Sequence, residues 1–336
     1  MATTHDKNAT RRGFLRQAAS GFAASAGALG ALGALGAAGC GKAEPARRDQ
    51  PPPGAGPGGR KLGWAIVGLG KFATEQLLPA FTACSRSRVA ALVSGSPDKA
   101  RALAARYGVA PKSVYDYAGF DRLRDDPAVD VVYVVLPNSM HAEYTIRAAR
   151  AGKHVMTEKP MATKVEDASA MIEACRAAGR RLMVAYRAQF EPHNRAAVAA
   201  VRAGELGAVK LIVADHGRRL DPNDPADTWR TKRDLAGGGS LVDIGIYSLQ
   251  AARYITGEEP TEVSATLSSP PNDPRFAEVE ESVAFTLRFP GGAVATCTSS
   301  YGIATVKRYR VMGEKGYLDL DPATSYEGNK LRFGRG

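Results

Sequence analysis

The strongest constraint on the fold is a regular alternation of short apolar runs with helix-forming stretches, which begins at Leu62. Runs that are apolar without interruption are typical of strands buried on both faces, and helices between consecutive strands allow those strands to run parallel. The pattern therefore predicts an α/β domain with a parallel sheet between two layers of helices. The predicted strands are residues 64–67, 89–93, 131–136, 154–156 and 182–185, and the clearest predicted helices are residues 100–107 and 165–178.

A glycine-rich turn follows the first predicted strand directly. Its sequence, GLGKFA at residues 68–73, has the form G-x-G-x-x-A. Gly68 suits the tight turn, Gly70 lets backbone approach a pyrophosphate, and Ala73 permits close packing of the helix whose N-terminus faces the phosphates. The alternative is an ordinary glycine-rich turn, which would not need to lie between a strand and a helix. The position of the motif directly after the first strand therefore favours a dinucleotide site, which also includes Lys71 and Phe72.

The end of the second predicted strand discriminates between cofactors. Enzymes that use NAD commonly place Asp or Glu there to bind the ribose 2′-hydroxyl. This chain instead has Ser94, with Lys99 and Arg101 further on, and these side chains suit a 2′-phosphate. Asp98 fits the first turn of the next helix, where an acid is favourable. The sequence therefore predicts NADP.

Two further motifs follow predicted strands at the edge where open α/β sheets bind ligands. They are LPNSMH at residues 136–141, containing Leu136, Pro137, Asn138 and His141, and EKP at residues 158–160, containing Glu158 and Lys159. Each residue also has a simpler interpretation: His141 could begin a surface helix, Pro137 could end a strand, and Lys159 could be an exposed lysine. The position of Lys159 at the ligand edge favours a catalytic role.

The second half of the chain has a different pattern. A helix at residues 192–203 precedes runs with β-branched and alternating apolar residues at 209–216, 263–267, 283–289 and 294–299, with edge strands to 320. This pattern predicts an open, mainly antiparallel sheet. The fold prediction is thus an N-terminal Rossmann dinucleotide-binding domain at 61–187 and an α+β catalytic domain at 188–336.

Between the first two strands of that second sheet, three glycines at residues 237–239 precede a segment with helical character. Asp243 and Tyr247 lie four residues apart in it, so both would project from one helix face into the same volume. The glycine run permits close approach to a ligand or to the other domain. We therefore predict that Asp243 and Tyr247 act together with Lys159.

These motifs resemble the Gfo/Idh/MocA oxidoreductase family. Residues 62–328 are similar to its glucose-fructose oxidoreductase branch. At the position of Tyr247 that branch also has tyrosine, whereas many other relatives have histidine. The resemblance implies hydride transfer between the anomeric carbon of an aldose and a tightly bound NADP, with oxidation to a lactone and recycling on a ketose or second aldose. It implies that Tyr247 is the acid/base, that Lys159 lowers its pKa, and that Asp243 orients Lys159 or the sugar hydroxyl. It adds cofactor contacts at Tyr117, Arg187, Trp229, Arg230 and Tyr326.

Two other functions fit the same fold. One is an NAD-dependent glycosidase, which the missing ribose-binding carboxylate disfavours, and the other is a non-catalytic nucleotide-binding sensor, which the retained Lys159, Asp243 and Tyr247 disfavour. Family members also continue with a helical segment where this sequence has residues 331–336, so a shortened C-terminus that weakens packing is a further expectation.

The sequence of the first sixty residues predicts an export signal followed by an extended arm. The run TRRGFLR at residues 10–16 precedes an uncharged Ala/Gly-rich stretch at 20–39, which is typical of a twin-arginine signal peptide at 1–40 and of periplasmic export through the twin-arginine machinery. The leader ends either by cleavage or by lipid attachment at Cys40. Residues 41–60 are a proline- and glycine-rich arm; the resemblance implies that it embraces a partner subunit in a homo-oligomer, a dimer or tetramer, and a plain spacer is the alternative.

Charge and cysteine content exclude other classes. The formal net charge is +11, but no Lys/Arg run is interleaved with aromatic residues, so we expect no nucleic-acid partner. The four cysteines form no C-x-x-C pair and have no metal-ligand spacing with the five histidines, so no metal is predicted. Cys84, Cys175 and Cys297 are predicted to be buried thiols.

Overall fold

The computed structural model describes residues 59–336. The predicted signal peptide at 1–40, Cys40 and all of the proline-rich arm except residues 59 and 60 lie outside the described residues.

The first sheet has six parallel strands in the order β3-β2-β1-β4-β5-β6, which is the Rossmann order. Along β1, Ala65 and Val67 pack into one apolar cluster while Ile66 packs into another on the opposite face. Both faces are therefore covered, as the uninterrupted apolar runs predict. The strands are β1 Leu62–Val67, β2 Ser87–Val93, β3 Val114–Tyr115, β4 Val131–Val134, β5 His154–Thr157 and β6 Leu182–Val184.

Helices flank this sheet and deliver the motif residues to its carboxyl edge. The glycine turn leads into a π-helical turn at Ala73–Leu77, and a 3₁₀ turn at Asn138–Met140 precedes the helix that begins at His141. Asp98 lies in the first helical turn after β2, as predicted. The α-helices are α1 Leu78–Thr82, α2 Pro97–Tyr107, α3 His141–Arg150 and α4 Val165–Ala177.

The second sheet has seven strands in the order β13-β12-β11-β7-β10-β9-β8 and is mainly antiparallel, as predicted. One pair, β7 with β10, is parallel, because β7 joins the sheet beside β10 and not beside β8, its successor in sequence. The prediction that all strands after 299 lie at the edge is wrong for β11, which lies between β12 and β7. The strands are β7 Val209–Gly217, β8 Glu262–Ser268, β9 Ser282–Arg288, β10 Val294–Ser300, β11 Val306–Gly313, β12 Gly316–Leu320 and β13 Leu331–Arg335.

Helices cover one face of the second sheet. Ala252 and Ile255 pack against Ile212 and Phe285 in the core, whereas Leu211, on the opposite face of β7, is 50% exposed. A π-helical turn at Leu241–Gly245 leads directly into the helix that begins at Ile246. The α-helices of this half are α5 Pro192–Arg202, α6 Pro225–Thr228, α7 Arg233–Ala236 and α8 Ile246–Thr256. No helix in residues 59–336 has both the length and the apolar character needed to cross a membrane.

Candidate active site

A cleft of about 1200 Å³ is lined by side chains from both sheets and the turns that follow their strands. The structure brings all the residues selected from the sequence to this cleft, with the exception of Arg101. These residues are Gly68, Gly70, Lys71, Phe72, Ser94, Lys99, Tyr117, Leu136, Pro137, Asn138, His141, Glu158, Lys159, Arg187, Trp229, Arg230, Asp243, Tyr247 and Tyr326.

The glycine turn after β1 has the geometry that a phosphate cradle requires. Gly68 has a φ of +95°, and a Cβ there would lie 2.3 Å from the carbonyl oxygen of Val135. At Gly70 a Cβ would meet nothing within 4 Å, so this glycine faces open space in the cleft. Gly68 is thus required by the fold, whereas Gly70 leaves room for a ligand, and a dinucleotide fits this arrangement.

The end of β2 presents polar side chains and no carboxylate to the cleft. Ser94 is buried, and its Oγ accepts a hydrogen bond of 3.1 Å from the backbone N–H of Ser96. Lys99 lines the cleft. Arg101 lies outside the cleft and pairs with Asp98 at 2.5 Å, because two residues along a helix turn the side chain to another face. The expectation that Arg101 meets a 2′-phosphate is therefore wrong, while Ser94 and Lys99 stay candidates.

His141 joins the two strand-end motifs. It begins α3 but is completely buried, and its ring nitrogens lie 2.8 Å from the carbonyl oxygen of Pro160 and 2.9 Å from that of Leu136. Burial lowers the pKa of His141, although both carbonyls oppose this effect. The surface interpretation of His141 is thus wrong, and the ring fixes the loops after β4 and β5 relative to each other.

Asn138 and Glu158 anchor these same loops. The Asn138 side-chain amide donates a 2.8 Å hydrogen bond to the carbonyl oxygen of Ala236, which lies in the second half of the chain. Glu158 accepts hydrogen bonds from the Tyr133 hydroxyl at 2.5 Å and from the backbone N–H of Lys159 at 3.2 Å. Burial raises the pKa of Glu158. Asn138 therefore connects the loop after β4 to the second half of the chain, and Glu158 supports the loop that carries Lys159.

The central ion pair of the cleft joins the two domains. Lys159 Nζ donates hydrogen bonds to the Asp243 carboxylate at 2.9 Å and to the Asp243 carbonyl oxygen at 2.6 Å. Burial opposes both charges, but the attraction between them outweighs it: the pKa of Lys159 is raised, and that of Asp243 is held well below its usual range by Lys159 and Arg230. Lys159 is therefore a charged, fixed hydrogen-bond donor.

The second oxygen of the Asp243 carboxylate is also fully engaged. It accepts hydrogen bonds from Arg230 Nε at 2.9 Å and from the Tyr301 hydroxyl at 2.8 Å. Tyr301 is 1% exposed and follows the last residue of β10. Nothing in the local sequence of Tyr301 indicates this contact with a residue 58 positions away.

Tyr247 lies between the ion pair and a set of aromatic rings. Its ring centroid is 5.2 Å from Lys159 Nζ, 5.5 Å from the ring of His216 and 5.4 Å from that of Tyr186. The predicted convergence of Tyr247, Asp243 and Lys159 is confirmed. The local geometry differs from the predicted regular helix, since Asp243 lies in the π-helical turn and Tyr247 in the α-helix that follows it.

Other predicted residues contact one another along the cleft. The Arg187 guanidinium lies 4.4 Å from the ring centroid of Tyr326 and donates to the carbonyl oxygens of Thr324 and Ser325. Tyr326 in turn stacks on Phe72, with 6.4 Å between the ring centroids.

Among the predicted residues of the second domain, the Arg230 guanidinium lies 4.4 Å from the centroid of the Trp229 ring. Lys71 pairs with Asp224 at 3.1 Å and so connects the glycine turn to the second domain. These contacts place side chains from both domains around one opening.

Sequence reasoning missed several other polar residues of the cleft. His216, Arg218, Asp227 and Lys307 all line it, and the local sequence around each of them carries no motif. The positions of His216, Arg218 and Lys307 depend on the order of strands in the second sheet, whereas Asp227 lies on α6 and pairs with Arg218.

Within residues 59–336, no three His, Cys, Asp or Glu side chains come together in a group that could hold a metal ion. Cys175 and Cys297 are buried as predicted. The prediction for Cys84 is wrong: it is partly exposed near the end of α1 and lines the cleft rim.

Comparison with known proteins gives the same two-part division. Residues 62–186 match the profile of the oxidoreductase family with an NAD-binding Rossmann fold, and residues 194–319 match the GFO/IDH/MocA C-terminal domain.

Individual relatives cover most of the chain. D-xylose 1-dehydrogenase [NADP(+)] from Haloarcula marismortui is 34% identical over 271 residues, which are 77% of this chain and 72% of the relative. The crystal structure of aldose-aldose oxidoreductase from Caulobacter crescentus complexed with glycerol has 54% identity and a TM-score of 0.79, and the match covers 82% of each chain. A 3-ketoreductase from Actinomadura kijaniata in complex with NADP has 25% identity and a TM-score of 0.68, again over 82% of each chain. With both of its domains matched and its cleft built from residues of both, this chain belongs to the Gfo/Idh/MocA oxidoreductase family.

Proposed function

We propose that this protein oxidises an aldose at C1 to the lactone with NADP as the electron acceptor, and that a ketose or a second aldose regenerates the cofactor in the same cleft. The coarser statement, that the chain is an NADP-dependent sugar oxidoreductase, agrees with its relatives: one is named D-xylose 1-dehydrogenase [NADP(+)] and a structural neighbour aldose-aldose oxidoreductase. The observation that carries the proposal is the convergence of Lys159, Asp243 and Tyr247 at the ligand edge of the Rossmann sheet.

The cleft fits the cofactor at two places. The open space at Gly70 leaves room for a pyrophosphate, and Ser94 and Lys99 provide a hydroxyl and a cation for the 2′-phosphate where an NAD site has a carboxylate. Tyr117, Arg187, Trp229 and Tyr326 are the candidates for further contacts along the cleft. When bound, NADP supplies the nicotinamide that exchanges a hydride with the sugar.

The residues of this chain handle the proton. As the C1 hydrogen leaves with its electron pair, the C1–O bond gains double-bond character and the hydroxyl proton must leave. The Tyr247 oxygen accepts this proton, and it returns the proton to the carbonyl oxygen of the acceptor sugar in the second half-reaction. Lys159 provides a fixed positive charge 5.2 Å from the Tyr247 ring centroid, and Asp243 holds the ammonium in place at 2.9 Å.

A purified, full-length protein tests the proposal directly. We expect native mass spectrometry to show bound NADP, glucose to raise the absorbance of reduced nicotinamide at a stoichiometry of one per site, and a ketose or second aldose to reverse the change. Initial rates with the two sugars should follow ping-pong kinetics.

Three results would contradict the proposal. A strict need for free NADP in every turnover would indicate a simple sugar dehydrogenase. Release of nitrophenol from chromogenic glycosides would favour the NAD-dependent glycosidase, and bound nucleotide that no sugar reduces would favour a sensor.

We also propose that the protein is exported to the periplasm through the twin-arginine machinery and acts there as a homo-oligomer. The support is the TRRGFLR run at residues 10–16 and the Ala/Gly-rich stretch behind it. Replacing Arg11 and Arg12 together by Lys should leave the protein in the cytoplasm, and a Cys40→Ser variant that stays membrane-bound would exclude lipid attachment. Native mass spectrometry of the periplasmic form gives the number of subunits.

A further inference from the structure

The part of the cleft around Tyr247 contains an excess of positive charge. Five cationic side chains line it: Lys159, Arg187, Arg218, Arg230 and Lys307. Three acidic side chains share this region, and they are Glu158, Asp227 and Asp243. The charges are therefore not balanced by the protein alone.

Most of these cations have defined partners. Arg218 forms two hydrogen bonds with Asp227, of 2.8 and 2.6 Å, and Lys159 and Arg230 share the carboxylate of Asp243. Arg187 donates to backbone carbonyl oxygens. Within residues 59–336, the Lys307 ammonium has neither an ion-pair nor a hydrogen-bond partner, and so it is the cation available to a ligand.

The strand register places Lys307 beside the proposed reaction centre. Lys307 on β11 is directly opposite His216 on β7, and the His216 ring lies 5.5 Å from the ring of Tyr247. The next residue, Arg308, points to the other face of the sheet, where it pairs with Asp215 at 3.0 Å. Lys307 therefore lines the part of the cleft near Tyr247, on the opposite domain from Gly70, Ser94 and Lys99.

Such an arrangement is unfavourable without an anion. Burial lowers the pKa of Lys307, and the nearby Arg187 and Arg218 lower it further. A partly buried ammonium that faces two other cations costs free energy unless an anion binds to it. Neutral sugars offer hydroxyl groups but no charge to offset this cost.

We propose that Lys307, together with Arg187 and Arg218, forms a subsite for a carboxylate on the sugar, so that the preferred substrates are sugar acids of the uronate type and not neutral aldoses. This inference rests on the proposed function, because it assigns the substrate class of the same cleft. The carboxylate would bind the ammonium while C1 lies near Tyr247, and no additional chemical step is needed.

Paired substrates that differ only at C6 test the subsite. For wild-type protein we expect kcat/KM for glucuronate to exceed that for glucose by at least about tenfold, as a charge-assisted hydrogen bond implies. Lys307→Met should reduce the glucuronate-to-glucose ratio of kcat/KM by at least about tenfold, and Lys307→Arg should restore part of it. Arg308→Met, one residue along the same strand but on the other face, is the matched control and should leave the ratio unchanged.

Calorimetric measurement of glucuronate and glucose binding to the NADP-loaded protein tests the carboxylate subsite separately from the proposed sugar oxidoreductase activity. Tighter glucuronate binding that depends on Lys307 supports the subsite even if turnover is absent, in which case only the proposed function fails. Turnover of glucose with equal or better efficiency than glucuronate overturns the subsite and leaves the proposed function intact. A preference for glucose 6-phosphate over glucuronate overturns the carboxylate assignment in favour of a phosphate.

Discussion

At the scale of single residues, the site depends on two opposite charges held in a buried position. Asp243 accepts hydrogen bonds from Lys159, Arg230 and Tyr301, so its carboxylate is compensated on both oxygens. A buried charge without such partners would be neutralised by a shift in its pKa. The network therefore keeps Lys159 protonated beside Tyr247, where the proposed reaction needs a positive charge.

Replacement of Tyr247 by Phe removes the proposed acid/base and keeps the ring that contacts His216 and Tyr186. We expect kcat with the preferred sugar to fall by about 10²- to 10⁴-fold, the usual contribution of general acid–base catalysis, while the bound nucleotide is retained. Single-turnover absorbance and native mass spectrometry measure the two quantities. Turnover at the wild-type rate in this variant would exclude the role of Tyr247.

Replacement of Lys99 by Ala removes the cation that lines the cleft beside Ser94. We expect the dissociation constant for NADP to rise about tenfold with little change for NAD, because only NADP carries the 2′-phosphate. Arg101→Ala is the control, since Arg101 pairs with Asp98 away from the cleft. Equal losses for both nucleotides would show that Lys99 does not recognise the 2′-phosphate.

At the scale of secondary-structure elements, the ends of strands decide where ligands can bind. Parallel strands direct all their carboxyl ends to one edge, so the turns after β1, β2, β4 and β5 meet there although they are far apart in sequence. The π-helical turn at Leu241–Gly245 then brings Asp243 to the same edge from the second domain.

The two glycines of the first turn should respond differently to substitution by Ala. At Gly68 the positive φ and the carbonyl oxygen of Val135 at 2.3 Å from a Cβ make the change unfavourable, and we expect a loss of at least about 2 kcal/mol in the free energy of unfolding. At Gly70 a methyl group meets no protein atom within 4 Å, so stability should be unchanged while NADP affinity falls about tenfold or more.

Urea denaturation and nucleotide titration of both variants measure this contrast. The wild-type protein is the reference for each quantity. A Gly70→Ala variant that binds NADP normally would show that the cofactor does not approach this turn.

At the scale of the whole molecule, His216 connects the second sheet, its covering helix and the cleft. It is 2% exposed, and its ring nitrogens lie 2.9 Å from the Ser248 hydroxyl and 3.1 Å from the Thr324 hydroxyl. Burial, followed by the effect of nearby cations, lowers the pKa of His216 to about 3. The folded protein therefore keeps this ring neutral at a pH where the unfolded chain is protonated.

This difference gives a pH dependence of stability with a definite sign. Above the usual histidine pKa of about 6.5, neither the folded nor the unfolded state protonates His216, so this residue adds no pH dependence. Between pH 6.5 and pH 3 only the unfolded state binds the proton, so the free energy of unfolding falls as the pH decreases. From pH 7 to pH 4.5 the loss should be about 2–3 kcal/mol, and it should be missing in His216→Gln. Urea denaturation at both pH values measures it, and equal losses in the two proteins would contradict the assignment.

Local patterns in the sequence determined the layers and the Rossmann half of the site. Uninterrupted apolar runs require burial on both faces, G-x-G-x-x-A requires a tight turn, and a motif directly after a strand must lie at the ligand edge. For these reasons Gly68, Gly70, Ser94, Lys99 and Lys159 were identified from their sequence context. Helical spacing likewise identified Asp243 and Tyr247 as partners. It did not predict the π-helical turn that contains Asp243.

Only the tertiary structure decided which side chains from the second sheet reach the cleft. Tyr301, Arg218 and Lys307 come from segments without a motif, and their roles follow from the parallel pairing of β7 with β10 and the internal position of β11. The same is true of Arg101, which pairs with Asp98 on α2 and does not line the cleft. A local pattern specifies which face of an element is buried, but the neighbour across that face is set by the packing of strands that are distant in sequence.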